Sequence, residues 1–222
     1  MSGGANKSFL KNPLEFINDN VIVPHNSLQV VAKGQATIVR VNIIADTTGN
    51  TCLDTRGNNV PMFRATGVKK KPSIASNAFY AYYLPYAPNQ TRQMNLGTGA
   101  KFFFTDKIDG CTLAAGTNGG VNPLVIHMNQ QTATGRIDQP AIDNTIQGLY
   151  GTNPFAQLSL PDYISPEEYH FKNNPNSTAV KTNVTVIGIR TGQNWNFYYQ
   201  RRNWLGGMKY RLVDTTAGYT AI

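Results

Sequence analysis

Apolar positions along this chain come in short runs broken by glycine, proline and asparagine, a pattern of many short strands and turns. Leu28 to Asp46 is rich in β-branched residues (Val31, Ile38, Val39, Val41, Ile43) and predicts two strands broken near Gly34. Phe79 to Tyr83, Lys101 to Thr105, Thr182 to Ile189 and Asn194 to Gln200 predict further strands. Cys111 to Ala115 and Leu124 to Asn129 are apolar runs on either side of Gly116-Thr-Asn-Gly-Gly120, whose turn chemistry predicts an antiparallel hairpin. Helical spacing is confined to a few places. Asp138 to Tyr150 places Ile142, Ile146 and Leu149 on one face, with Pro140 in the first turn and Gly151 at the end. Pro13 to Asn18 predicts a short helix, and Ser165-Pro-Glu-Glu168 reads as a capping-box start for another. The expected architecture is a single α+β domain over residues 1–222, mainly an antiparallel β-sandwich with a few peripheral helices.

Composition supports a packed core: 41% of residues are hydrophobic and 10% aromatic, against 14% charged. There is no internal repeat of solenoid or propeller period. A net charge of +8 raises the question of nucleic acid. Lys69-Lys70-Lys71 and the run Trp195-x-Phe-Tyr-Tyr-x-Arg201-Arg202-x-Trp204 supply basic groups interleaved with aromatics. Alternation along a strand would turn those aromatics into a core, and no recognised nucleic-acid motif, phosphate loop or metal-ligand cluster accompanies them. Nucleic-acid binding is therefore the weaker reading, the charge serves equally to steer an acidic protein partner, and no metal or cofactor is expected. The first twenty residues hold no signal-peptide-like stretch, no run has membrane length, and position 2 is Ser2 in place of the glycine needed for myristoylation. The expected location is a bacterial cytoplasm, or a host cytosol reached by a non-classical route.

One segment carries candidate chemistry. In the hairpin, a loop centred on Gly119 sets Cys111 opposite His127, with paired Cβ atoms about 4.5–5.5 Å apart. A two-residue Asn118-Gly119 turn would instead send His127 to the other face, and Pro123, which cannot donate to a ladder, favours a longer loop or a bulge. A thiol beside an imidazole is the minimum needed for nucleophilic attack on an amide. The plain alternative is that Cys111 is a small core hydrophobe, as Cys52 is expected to be. His25 and His170 read as surface residues.

Phe103-Phe-Thr105, Ile108-x-Gly-Cys111, Ala115-Gly, Gly119-Gly and His127 together resemble the active-site run of the Burkholderia lethal factor-like glutamine deamidase toxins. That superfamily includes the catalytic domain of cytotoxic necrotizing factor and the bacterial chemoreceptor deamidase. The match covers about thirty residues, with a weaker echo at Val186-Ile-Gly-Ile-Arg-Thr-Gly-Gln193. The resemblance implies the deamidase-toxin fold and a Cys–His–Thr site made of Cys111, His127 and Thr105. Two departures stand out. Asp109 occupies a position where an uncharged residue is expected, so its carboxylate should face solvent, and the Cys-to-His loop is longer than in the lethal factor.

On this reading Cys111 attacks a glutamine carboxamide, and Gly110 allows the Cys111 backbone N–H to approach the oxyanion. His127 moves the protons. Thr105 orients the imidazole through its hydroxyl or its carbonyl, and Asn129 is a second candidate orienter. The implied partner is a host protein, with a translation-initiation RNA helicase or a Rho-family GTPase as the substrates of relatives. A cysteine protease or transglutaminase would use the same groups, and a β-rich protein- or nucleic-acid-binding module would use none of them.

Overall fold

The short apolar runs pair into two sheets. The computed structural model describes residues 2–69, 77–117, 119, 122–135, 137–151, 154, 156–159, 162, 181–213 and 220–221. The chain begins with α1 (Ser2–Lys11), α2 (Pro13–Asp19), β1 (Val21–Pro24), α3 (Ser27–Ala32), β2 (Thr37–Ala45), β3 (Thr51–Leu53), β4 (Asn59–Val60) and β5 (Met62–Gly67). Next come β6 (Phe79–Leu84), β7 (Thr91–Asn95), β8 (Phe102–Thr105), β9 (Thr112–Gly116), β10 (Leu124–Met128), α4 (Gln139–Tyr150) and β11 (Ala156–Leu158). The last are β12 (Lys181–Thr191), β13 (Asn194–Gly206), β14 (Lys209–Leu212) and β15 (Thr220–Ala221).

Among the described residues the larger sheet runs β1-β5-β2-β6-β8-β12-β13-β14-β3-β4, with β15 on β13, and the smaller runs β11-β9-β10-β7. The smaller sheet is antiparallel throughout. The larger is mixed, because β1–β5, β6–β8 and β3–β14 pair in parallel. The molecule is thus α+β and mainly antiparallel, as the pattern predicts.

Alternation along the strands decides what each face buries. One face of the larger sheet turns Leu84, Phe103, Val184, Val186, Trp195 and Phe197 against Cys111, Leu113, Ala115 and Val125 of the smaller sheet, closing a sandwich. The opposite face packs Val41, Ile43, Ala81, Phe102, Phe104 and Ile187 against Phe9, Phe16, Ile17 and Leu28 of the first three helices. The outer face of the smaller sheet (Ala114, Leu124, Ile126, Met128) is covered by Ile142 and Ile146 of α4. The order of layers is helices, large sheet, small sheet, helix.

Helix α4 forms where its spacing predicts it. The Asp138 carboxylate caps it by accepting from the Ala141 N–H at 3.1 Å, and Gly151 ends it at φ 69°. Helix α2 likewise matches expectation, with Asn12 as its cap. The first half of Leu28 to Asp46 is a correction, since it folds as helix α3 and only the second half is a strand. Its β-branched residues favour a strand locally. However, Leu28, Val31 and Ala32 have helical spacing, and packing them on the sheet outweighs that propensity. Lys33 (φ 55°) and Gly34 (φ 68°) turn the chain out of α3 in left-handed conformations, and Gly34 donates back to the Gln29 carbonyl at 3.0 Å. Helix α1 has no forecast in the hydrophobic pattern; Phe9, against Phe79 and Phe102 at ring separations of 5.4 and 4.8 Å, holds it on the sheet. Ser165 to Glu168 and His170 lie outside the described residues.

Candidate active site

The residues singled out in the sequence converge between the two sheets. Thr105 ends β8 in the larger sheet, His127 stands in β10 of the smaller, and Cys111 immediately precedes β9. Leu113 pairs with His127 and Thr112 with Met128, so the ladder continued by one residue sets Asn129, not His127, opposite Cys111. The register of the two strands is therefore shifted from the expected one, with Gly116 opposite Leu124. This moves the pairing by two positions and leaves the parity intact, so Cys111, His127 and Asn129 all face the sandwich interior. His127 becomes the diagonal neighbour of Cys111, at about 7–8 Å between backbone positions and within reach of an imidazole.

The hydrogen bonds assign the protons. The Thr105 hydroxyl lies 2.7 Å from the Leu84 carbonyl and 2.7 Å from His127 Nδ1. A hydroxyl has one proton, and the carbonyl can only accept it. Thr105 therefore donates to Leu84, and His127 Nδ1–H donates to Thr105. Thr105 thus orients the imidazole through its hydroxyl, and the other ring nitrogen, Nε2, carries the lone pair. Nε2 is buried and has no hydrogen-bond partner among the described residues, which leaves a base unsatisfied at the face it shares with Cys111. Burial lowers the His127 pKa to about 4, with the Asp109 charge partly opposing the shift. The imidazole is consequently neutral at neutral pH.

Asn129 contacts the sulfur directly. Its Nδ2–H donates to the Cys111 sulfur at 3.3 Å, a contact that favours the thiolate. The amide is held in turn by the segment between β6 and β7: Asn89 N–H donates to Asn129 Oδ1 at 3.3 Å, and Asn129 N–H donates to the Gln90 carbonyl at 3.1 Å. Gly110 adopts φ 150°, a conformation open to glycine and strained for other residues, directly before the Cys111 N–H. Asp109 is exposed, with its side chain 45% accessible and paired to Lys107 at 2.8 Å, as expected.

Three features of the site have no forecast in the sequence. Cys111 is 1% accessible, His127 2% and Thr105 0%, so the site is enclosed. The Pro85-to-Gln90 segment closes it. Within this segment the Tyr86 ring lies 5.9 Å from the His127 ring, and the hydroxyl's pKa is raised by burial first and then by Cys111 and Asp109. Asp106 ties this segment down by accepting from the Tyr83 hydroxyl and, at 2.7 Å, from the Tyr86 N–H. Pro85 and Pro88 mark a loop, but where it lies depends on the pairing of β6 with β8. Arg92 stands opposite His127 on β7.

No described cluster of three or more His, Cys, Asp or Glu side chains could hold a metal ion. No described helix is long and apolar enough to cross a membrane. No protein-family model matches the chain, and no curated protein matches it in sequence.

Proposed function

We propose that this chain is a thiol-dependent protein glutamine deamidase, of the toxin or effector kind that its Phe103-to-His127 run resembles. The observation that carries the reading is the Leu84–Thr105–His127 relay, which leaves Nε2 as the basic nitrogen on the face that holds Cys111 and its Asn129 partner. In the reaction, His127 Nε2 takes the Cys111 proton and the sulfur attacks the carboxamide carbon of a glutamine. The Cys111 N–H and the Asn129 amide donate to the oxyanion, each such donor being worth about 10²–10³ in rate. The imidazolium returns its proton to the departing nitrogen and ammonia leaves a thioester. Water, deprotonated at Nε2, then cleaves the thioester to give glutamate and the free thiol. The net change is addition of water and loss of ammonia.

The enclosed site requires the Pro85-to-Gln90 segment to move before a glutamine side chain can enter. By resemblance alone, the substrate would be a host protein such as a translation-initiation RNA helicase or a Rho-family GTPase. The burial of Cys111 favours a second reading, a β-rich binding module in which the thiol is core. Peptide mass spectrometry of a host-cell lysate treated with wild-type or Cys111→Ser protein separates them. The deamidase reading expects a gain of about one dalton at a particular glutamine with the wild type alone, a loss of rate of about 10²–10⁴ for His127→Ala, and no new fragments. A partner captured equally by both proteins, with no mass change, would establish the binding module instead.

A further inference from the structure

A second concave site lies at one end of the larger sheet, and its chemistry is independent of the thiol. A cleft of about 510 Å³ is lined by residues that include His25, Arg64, Lys107, Arg202, Trp204 and Tyr210. Its charges are unequally paired. Arg64 bonds Asp46 at 2.9 Å, and that carboxylate is saturated by Thr48 and Asn50 as well. Lys107 is paired with Asp109. Arg202 is different: it is 2% accessible and its Nη1 donates to the Ile22 carbonyl at 3.3 Å, while its buried Nε, like that of Arg64, has no partner among the described residues. No carboxylate pairs with it among the described residues.

A guanidinium remains charged in a protein, and burying one without a counter-ion is costly unless something compensates. Its planar fork matches an oxyanion in two parallel hydrogen bonds. The cleft is far larger than a bare anion requires and falls in the range of small-molecule pockets. Trp204, 36% accessible, and Tyr210 give it aromatic surface beside the cation. Three cations against two carboxylates leave the cleft with an excess of positive charge, which suits an anionic ligand.

We infer that this cleft binds a small phosphorylated ligand carrying an aromatic ring, the size and chemistry of a mononucleotide, with its phosphate on Arg202 and its ring against Trp204. The test is an NMR titration of the full chain with inorganic phosphate and, separately, with AMP, following the Arg202 Nε–H and Trp204 indole N–H signals. Both probes should shift Arg202 saturably, and AMP alone should shift Trp204. Arg202→Met should weaken AMP binding by about tenfold or more, whereas Trp204→Ala should weaken AMP and leave inorganic phosphate unchanged. Wild-type protein that shows no saturable shift at either signal overturns the inference, whether or not Arg202→Met folds. So does a folded Arg202→Met that binds AMP as the wild type does, or an N-acetylaspartate probe that binds Arg202 more tightly than phosphate.

Discussion

A buried imidazole makes His127 a stability element as well as a candidate base. Its pKa falls from 6.5 to about 4 on folding, so the folded state resists a proton that the unfolded chain accepts. The contribution, about 3 kcal/mol from the size of the shift, is fully present above pH 6.5 and is lost as pH falls from 6.5 towards 4. Urea denaturation at pH 7 and at pH 4.5 should show this slope in the wild type and its disappearance in His127→Gln. An unchanged slope would place the acid sensitivity elsewhere. Asp46 cannot account for it, because its pKa is lowered to about 2 and it titrates below this window; burial opposes that shift, while bonds from Asn50, Thr48 and Arg64 produce it. The residue types of the site are plain in the sequence. Their division of labour, with Thr105 on the imidazole and Asn129 on the sulfur, is visible only once the side chains are placed.

At the scale of elements, β8 has to lie close to β12 to deliver Thr105, and Gly188 makes that approach possible. A Cβ at Gly188 would fall 2.9 Å from Phe103 Cβ and 3.1 Å from the Phe197 ring. Gly188→Ala should therefore destabilise the protein by about 1–3 kcal/mol through overpacking. Gly148, inside α4, has nothing within 4 Å of such a Cβ, and Gly148→Ala should stabilise by about 0.5–1 kcal/mol. Thermal melts of the two variants, moving in opposite directions from the wild type, check both statements. If Gly188→Ala melts with the wild type, the close approach is not what sets β8 in place. The strands and α4 are legible because their periodicity and local propensity agree. Helix α3 is misread because β-branched propensity and helical spacing disagree there, and the sheet beneath it decides.

For the molecule as a whole, the main question is access. Cys52 and Cys111 are both free thiols and both buried, but they sit in different places. Cys52 packs in a small cluster with Val21, Met62 and Leu212, while Cys111 lies between the sheets behind the Pro85-to-Gln90 segment. Asn89 latches that segment by accepting from the Gln131 N–H at 3.1 Å, from a left-handed backbone at φ 52° that glycine also adopts. In native protein, labelling of Cys111 by a thiol reagent should be slower than in the denatured chain by on the order of a hundredfold, the ratio set by local opening. Asn89→Gly should accelerate labelling of Cys111 and leave Cys52 unchanged. Labelling of Cys111 at the denatured rate, or indifference to Asn89→Gly, would contradict a closed segment over the site.

The sequence by itself determined the α+β composition and the hairpin that carries Cys111 and His127, because alternation and turn chemistry are local properties; the register of the ladder then put the two residues on one face. What only the tertiary structure decided is how far the ladder slides, and therefore that Asn129 rather than His127 stands opposite the thiol. It also decided that the site is enclosed by a segment from another part of the chain, and that Arg202 is buried in a cleft with no carboxylate partner among the described residues. These depend on contacts between residues far apart in sequence, and neither composition nor periodicity encodes which distant strands will pair.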